Sequence, residues 1–180
     1  MATVVSHSIA ALAFGKAFAP EGMPPKFWVL TAVCAALPDA DVIGFALNIR
    51  YDQMLGHRGI THSLPFAFVV SCFTASISFR EESLFSRHWW LLVVYFFLIT
   101  ASHGLLDAMT NGGLGVAFFA PFTAERYFLP YRPVEVSPIG IGPFLSRRGV
   151  EVLVSEIKWI WIPAALVWVL SQFVVRLFRR

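Results

Sequence analysis

Long uncharged apolar runs alternate with short polar junctions along this chain. Five runs stand out: residues 3–19, 26–47, 61–79, 88–109 and 154–178. A helix needs about 20 apolar residues to cross a hydrocarbon core of roughly 30 Å. The last three runs meet that length, while the first two are marginal because each carries a polar end. The pattern predicts an all-α integral membrane bundle of four to five spans, forming a single domain over residues 1–180. Residues 1–109 hold the first four helices. Residues 110–152 form a long loop, rich in Gly, Pro and aromatics, and residues 153–180 form a C-terminal helix.

Breaks in the apolar pattern set the expected ends. Pro20, Gly22, Pro24 and Pro25 make the first turn. Pro38 interrupts the second run, and proline inside a helix removes a backbone hydrogen bond. The helix is therefore expected to stop near Leu37, with Asp39 and Asp41 on irregular backbone. At membrane depth such backbone survives only inside protein or beside a water-filled cavity. Thr61 is the expected cap of the third helix. Trp89 and Trp90 read as an interfacial belt, Pro163 as a kink, and Arg176, Arg179 and Arg180 as a membrane-surface anchor. The long loop is expected to lie across the mouth of the bundle, with Phe118, Phe119, Phe122, Tyr127 and Phe128 touching lipid or substrate.

The polar residues inside these runs are not scattered. His7 opens the first, Asp39 and Asp41 close the second, His57 and His62 precede or open the third, and His103 and Asp107 close the fourth. In an antiparallel bundle all of these ends fall on one face. His88 falls on the other, beside Trp89, and is read as interfacial. His and Asp are ligands for zinc and similar divalent ions. His103 and Asp107 are four apart, on one helical face. Asp39 and Asp41 are two carboxylates whose repulsion a cation would cancel. In H-R-G-I-T-H-S (57–63), Arg58 and a helix N-terminus offer a seat for phosphate. In the long loop Asn111 and Arg126 are candidate substrate contacts.

Composition narrows the class. The chain is 57% hydrophobic and 14% charged, with mean hydropathy +0.68, against about 25% charged in an ordinary soluble domain. The net charge of +3 is spread beside apolar runs, without the dense basic stripe of a nucleic-acid binder. Cys34 and Cys72 lie within apolar runs without C-x-x-C spacing and read as small hydrophobes. A signal peptide cleaved after Ala19 would remove His7, but no Lys or Arg precedes the first apolar run, as such a peptide would require. Counting flanking cations puts six on the site face and seven on the other, and the compact C-terminal arginines lean the site outward.

The elements H-S near the start, L-P-D-A-D, H-R-G-I-T-H-S and H-G-L-L-D-A-M-T-N-G-G resemble the YdjM-type family of membrane-bound metal-dependent hydrolases. The resemblance spans His7 to about Ser137 and implies an integral protein of the bacterial inner membrane. The His/Asp set with H-x-x-x-D on a helix also looks like the zinc-dependent phospholipase C and P1-nuclease group. This chain has too few histidines for that group's three-zinc set and lacks its processed N-terminal Trp.

These observations lead to an expected function. A divalent ion, zinc first and manganese second, one or two in number, is held by His7, Asp39, His62, His103 and Asp107. His57, Asp41 and Arg58 form the catalytic group. Arg58, Thr61, Ser63, Asn111 and Arg126 contact a phosphoester of a membrane lipid or lipid-linked substrate. The rival readings are a non-catalytic membrane protein with a structural metal or polar network, and a metal transporter. The far halves of the first four segments are nearly free of ionisable groups, which argues against a conducting path.

Overall fold

Helix α1 (Val4–Phe18) begins at Thr3, whose side chain accepts the Ser6 amide. Helix α2 (Pro25–Ala36) starts with proline at its first position, where the missing N–H is no loss. Pro38 ends the α-helical geometry as expected. A 3₁₀ turn over Leu37–Val42 follows, then a short α3 (Ile43–Ala46). A second 3₁₀ turn, Ile60–His62, leads into α4 (Leu64–Ser78) and then α5 (Arg87–Ala108). A short α6 (Ile141–Phe144) precedes α7 (Arg147–Glu156), a π-helical turn (Ile157–Trp161) and α8 (Ile162–Phe178). This is a computed structural model that describes residues 1–178. The anchor expected at Arg179 and Arg180 lies outside the described residues.

Among the described residues the only β features are isolated bridges, Thr110 with Val134 and Val116 with Tyr127. The chain is a helical membrane bundle. Three helical stretches are long and apolar enough to cross a bilayer: Pro25–Ala46, Arg87–Ala108 and Arg147–Leu177. Val4–Phe18 and Leu64–Ser78 are shorter apolar helices. The second run is thus long and apolar enough to cross, and the third is shorter than its hydropathy suggested. The difference lies in the cap. Ser63, not Thr61, accepts the first-turn amide of α4, from Phe66, and Pro65 sits in that first turn.

Helix α5 is the centre of the bundle, packed against α4 and α2, while α1 packs against α2 and α8. Phe27, Phe79, Phe96 and Ile99 fill the core beside Ala11, Cys34 and Ala35. The small side chains let helix backbones approach closely, which is how helices associate where lipid offers no hydrophobic drive. Trp89 departs from the interfacial reading. It is buried and donates its Nε1–H to Ser76, while Trp90 stays exposed. The C-terminal helix begins at Arg147, earlier than the apolar run suggested. The π turn lies just before Pro163, where a proline ring would otherwise meet the preceding carbonyls.

The long loop does cross one end of the bundle, and it is tied down by backbone bonds. Ala117 N donates to Arg58 O, Leu64 N to Phe118 O, Leu129 N to Ala108 O and Asn111 N to Val134 O. The loop's own Val116, Ala117, Ala120 and Val134 are buried. Phe122 and Phe119 project outward.

Candidate metal centre

The starts of α1 and α4 and the ends of α2 and α5 meet at one end of the bundle, as the polar pattern predicted. The 3₁₀ turn after Pro38 carries Asp39 inward and Asp41 towards the 57–62 loop. Asp39, His62, His103 and Asp107 are all buried, and one ligand atom from each lies within 4.8 Å of the others. His103 Nε2 is 3.1 Å from His62 Nε2 and 3.3 Å from Asp39 Oδ1. His62 Nε2 is 3.5 Å from Asp107 Oδ2 and 3.7 Å from Asp39 Oδ1. Tetrahedral zinc with bonds of about 2.0–2.1 Å places its donors roughly 3.3 Å apart.

The imidazole tautomers show why this cluster needs positive charge. His103 Nδ1 lies 2.7 Å from the Ala35 carbonyl, an acceptor only, so Nδ1 carries the proton. Thr61 Oγ1 donates to Asp41 Oδ2 at 2.6 Å and therefore accepts from His62 Nδ1 at 3.0 Å. Both Nδ1 atoms are donors, so in the neutral rings both Nε2 lone pairs point at one another across 3.1 Å. Only a cation or an added proton between them removes that repulsion. Without metal the proton does it. Burial disfavours a charged His62, but the surrounding carboxylates of Asp107, Asp39 and Asp41 outweigh burial and push its pKa up to about 10.

Orphaned atoms point the same way. Both oxygens of Asp39, both ring nitrogens of His7 and Nε2 of His57 are buried without a hydrogen-bond partner. Buried polar atoms are nearly always paired, and a bound ion is one of the standard explanations for those that are not. The chemistry of the donor set therefore fits a divalent cation. Zinc accepts this His/Asp mixture, as do other first-row ions. His7 sits at the edge of the cluster. Its ring stacks on His103 with centroids 3.6 Å apart, and its Nε2 is 3.4 Å from Asp107 Oδ1.

Asp41 has a different place from Asp39. Its carboxylate accepts from His57 Nδ1 (2.6 Å), the Arg58 amide (3.1 Å) and Thr61 Oγ1 (2.6 Å), and it faces His62 Nδ1 at 3.2 Å. A carboxylate so occupied orients both rings. It presents His62 Nε2 to the cluster and leaves His57 Nε2 as a free buried lone pair. A second group that could hold an ion, Asp41, His57 and His62, shares His62 with the first.

The expected phosphate contacts are engaged elsewhere. Arg58 is fully buried. Its Nε donates to Asp107 Oδ2 (3.0 Å), Nη1 to Gly112 O (2.9 Å) and Nη2 to Thr110 Oγ1 (2.8 Å). It neutralises Asp107 from behind, and three of its five N–H donors are taken up inside the protein. Thr61 is held by Asp41 and Ser63 caps α4. Asn111 Oδ1 accepts the Val136 amide within the loop. Arg126 donates to the carbonyls of His57, Tyr51 and Gln53, fastening the loop that carries His57. His88 lies at the far end, exposed, 3.7 Å from Glu82.

That loop depends on Gly59. A Cβ there would lie 2.1 Å from the Met54 carbonyl oxygen, the acceptor of the Ile60 amide. Gly59→Ala is expected to destabilise the protein by about 1–3 kcal/mol, as overpacking does. The check is a lowered unfolding temperature in detergent.

The model of the family described as YdjM inner membrane protein matches residues 1–180. The chain belongs to that family. It is also 36% identical over 166 residues to the inner membrane protein YbcI of Escherichia coli (strain K12), covering 92% of this chain and 94% of that protein. No solved structure matches the chain. With these relatives and its apolar helices, the protein is one of the inner membrane. Sequence reasoning missed two contributors, Thr110, which holds Arg58, and Glu156, a buried carboxylate beside the start of α1.

Proposed function

We propose that this protein is a membrane-embedded metal-dependent hydrolase acting on a phosphoester of a lipid or lipid-linked substrate. The observation that carries the reading is the mutual spacing of Asp39, His62, His103 and Asp107, with two imidazole lone pairs facing each other. Zinc is the favoured ion, manganese the alternative, with one ion or two. When bound, such a metal supplies an activated water near neutral pH and charge stabilisation for phosphoryl oxygens. Asp39, His62, His103 and Asp107 would hold it, with His7 at the edge. Asp41 fixes both neighbouring imidazoles through their Nδ1 protons. His57 Nε2 is then an unoccupied acceptor for a proton leaving the attacking water. The water oxygen would bond to phosphorus, and the ester P–O bond would break. A site at the end of a bundle lies at the depth of a lipid head group.

A second reading has its own support. The cluster is deeply buried and Arg58 is engaged internally, which suits a closed structural metal without turnover. A closed four-ligand site marks structure, and an open position marks catalysis.

Metal content by elemental mass spectrometry on detergent-purified protein is the first test. About one or two equivalents are expected in the wild type and none in His62→Ala. No metal, even after adding zinc and manganese, would sink both readings. Metal without hydrolysis of lipid phosphomonoesters or phosphodiesters in mixed micelles would leave the structural one.

A further inference from the structure

Glu156 is the one fully buried carboxylate outside the cluster among the described residues. It ends α7, in an apolar stretch that offers no motif. An ionisable group inside a membrane helix is expensive and marks function by default. Its Oε1 accepts the Thr3 amide at 2.5 Å, and its Oε2 accepts Thr3 Oγ1 and Ser6 Oγ, each at 2.7 Å. These groups belong to the first turn of α1, where unpaired amides and the helix dipole favour an anion.

The π turn completes the grip. Trp161 donates its Nε1–H to Ser6 Oγ at 2.7 Å. At 100° per residue, Glu156 and Trp161 would point about 140° apart on an α-helix. The wider i to i+5 repeat of the π turn over Ile157–Trp161 brings them to one side. Both therefore hold the same serine. The rest of the C-terminal helix is mostly exposed, and Gln172 Nε2 further along it donates to Lys16 O of α1.

What the clamp holds in place lies next to the cluster. The amide before Thr3, that of Ala2, donates to Asp107 Oδ1 at 2.8 Å. One turn beyond Thr3, His7 presents Nε2 to the same oxygen at 3.4 Å. We propose that Glu156 is a positioning residue, which clamps the first turn of α1 so that His7 and the Ala2 amide address Asp107. The C-terminal helix thus contributes to the site without supplying a ligand. This inference rests on the metal reading above for its consequence, though not for the clamp itself.

Two readouts test it. Hydrogen exchange in detergent reports the clamp: Glu156→Ala is expected to lose amide protection over residues 2–7 while α4 and α5 keep theirs. Zinc titration reports the consequence. Glu156→Ala should lower zinc affinity about 10–100-fold, as other residues that orient ligands do. Glu156→Gln, which keeps an acceptor, should recover most of it. In a His7→Ala background the loss should shrink, because the two act through one element. Unchanged protection over residues 2–7 would overturn the proposal. So would an unchanged zinc affinity in Glu156→Ala, or an equal loss with and without His7, since a merely structural glutamate would lower only stability. A wild type that binds no zinc, with protection still lost in Glu156→Ala, would refute the metal centre and leave the clamp standing.

Discussion

Asp39→Asn is expected to abolish metal binding while leaving the metal-free fold close to the wild type in stability. Both Asp39 oxygens are buried without a hydrogen-bond donor. Burial of a charge costs free energy that only a partner offsets, and in the metal-free protein that partner is a protonated His62, its Nε2 3.7 Å away and beyond hydrogen-bond reach. Asparagine removes the charge and adds an N–H that can donate to His103 Nε2, 3.3 Å away. In metal titrations the loss of affinity should exceed the roughly 10–100-fold typical of residues that only orient a ligand. Thermal unfolding with chelator present reads the other half. A metal-free Asp39→Asn protein that melts well below metal-free wild type would mean that the carboxylate has a closer protein partner after all.

Asp107→Asn should lose metal too, but with a large cost to the fold. The Asp107 carboxylate accepts from the Ala2 amide and from Arg58 Nε, and it faces His7 and His62. Arg58 is fully buried, so removing its partner leaves an uncompensated cation. Breaking one side of a buried pair typically costs about 3–5 kcal/mol. The destabilisation should persist in chelator, which separates it from the loss of metal. Equal unfolding temperatures for metal-free Asp107→Asn and wild type would refute the buried ion pair. The two aspartates, read as equivalent ligands in sequence, are thus distinguished by what else they touch.

The places where sequence reading succeeded share a cause. Pro38 removes a donor from the helix wherever it sits, so the break before Asp39 was legible. The end-of-run positions of His7, Asp39, His62, His103 and Asp107 needed only the antiparallel order of short-linked helices. What linear spacing left open shares another cause. Arg58 beside a histidine and a helix start looks like an anion clamp, and only the fold brings the Asp107 carboxylate to 3.0 Å from it. Thr61 and Ser63 are equally good caps by type. Pro65, which favours the first turn, was the available clue that the helix starts later. Trp89 and Trp90 are neighbours of one residue type, and their opposite fates depend on which face α4 covers.

Glu156 is the sharpest case, since a lone glutamate in V-L-V-S-E-I-K-W has no spacing to read. Its meaning comes from Thr3 and Ser6, which lie some 150 residues earlier in the chain. By itself the sequence determined that this is a helical membrane protein with acidic and histidine side chains gathered at one end. Hydropathy and helix-breaking residues act locally, and the order of segments does the rest. Only the tertiary structure decided which carboxylate is free for an ion, which is paired with Arg58, and which orients imidazoles. Those distinctions depend on contacts near 3 Å, set by the rotation and depth of each helix against its neighbours, and linear spacing does not specify either.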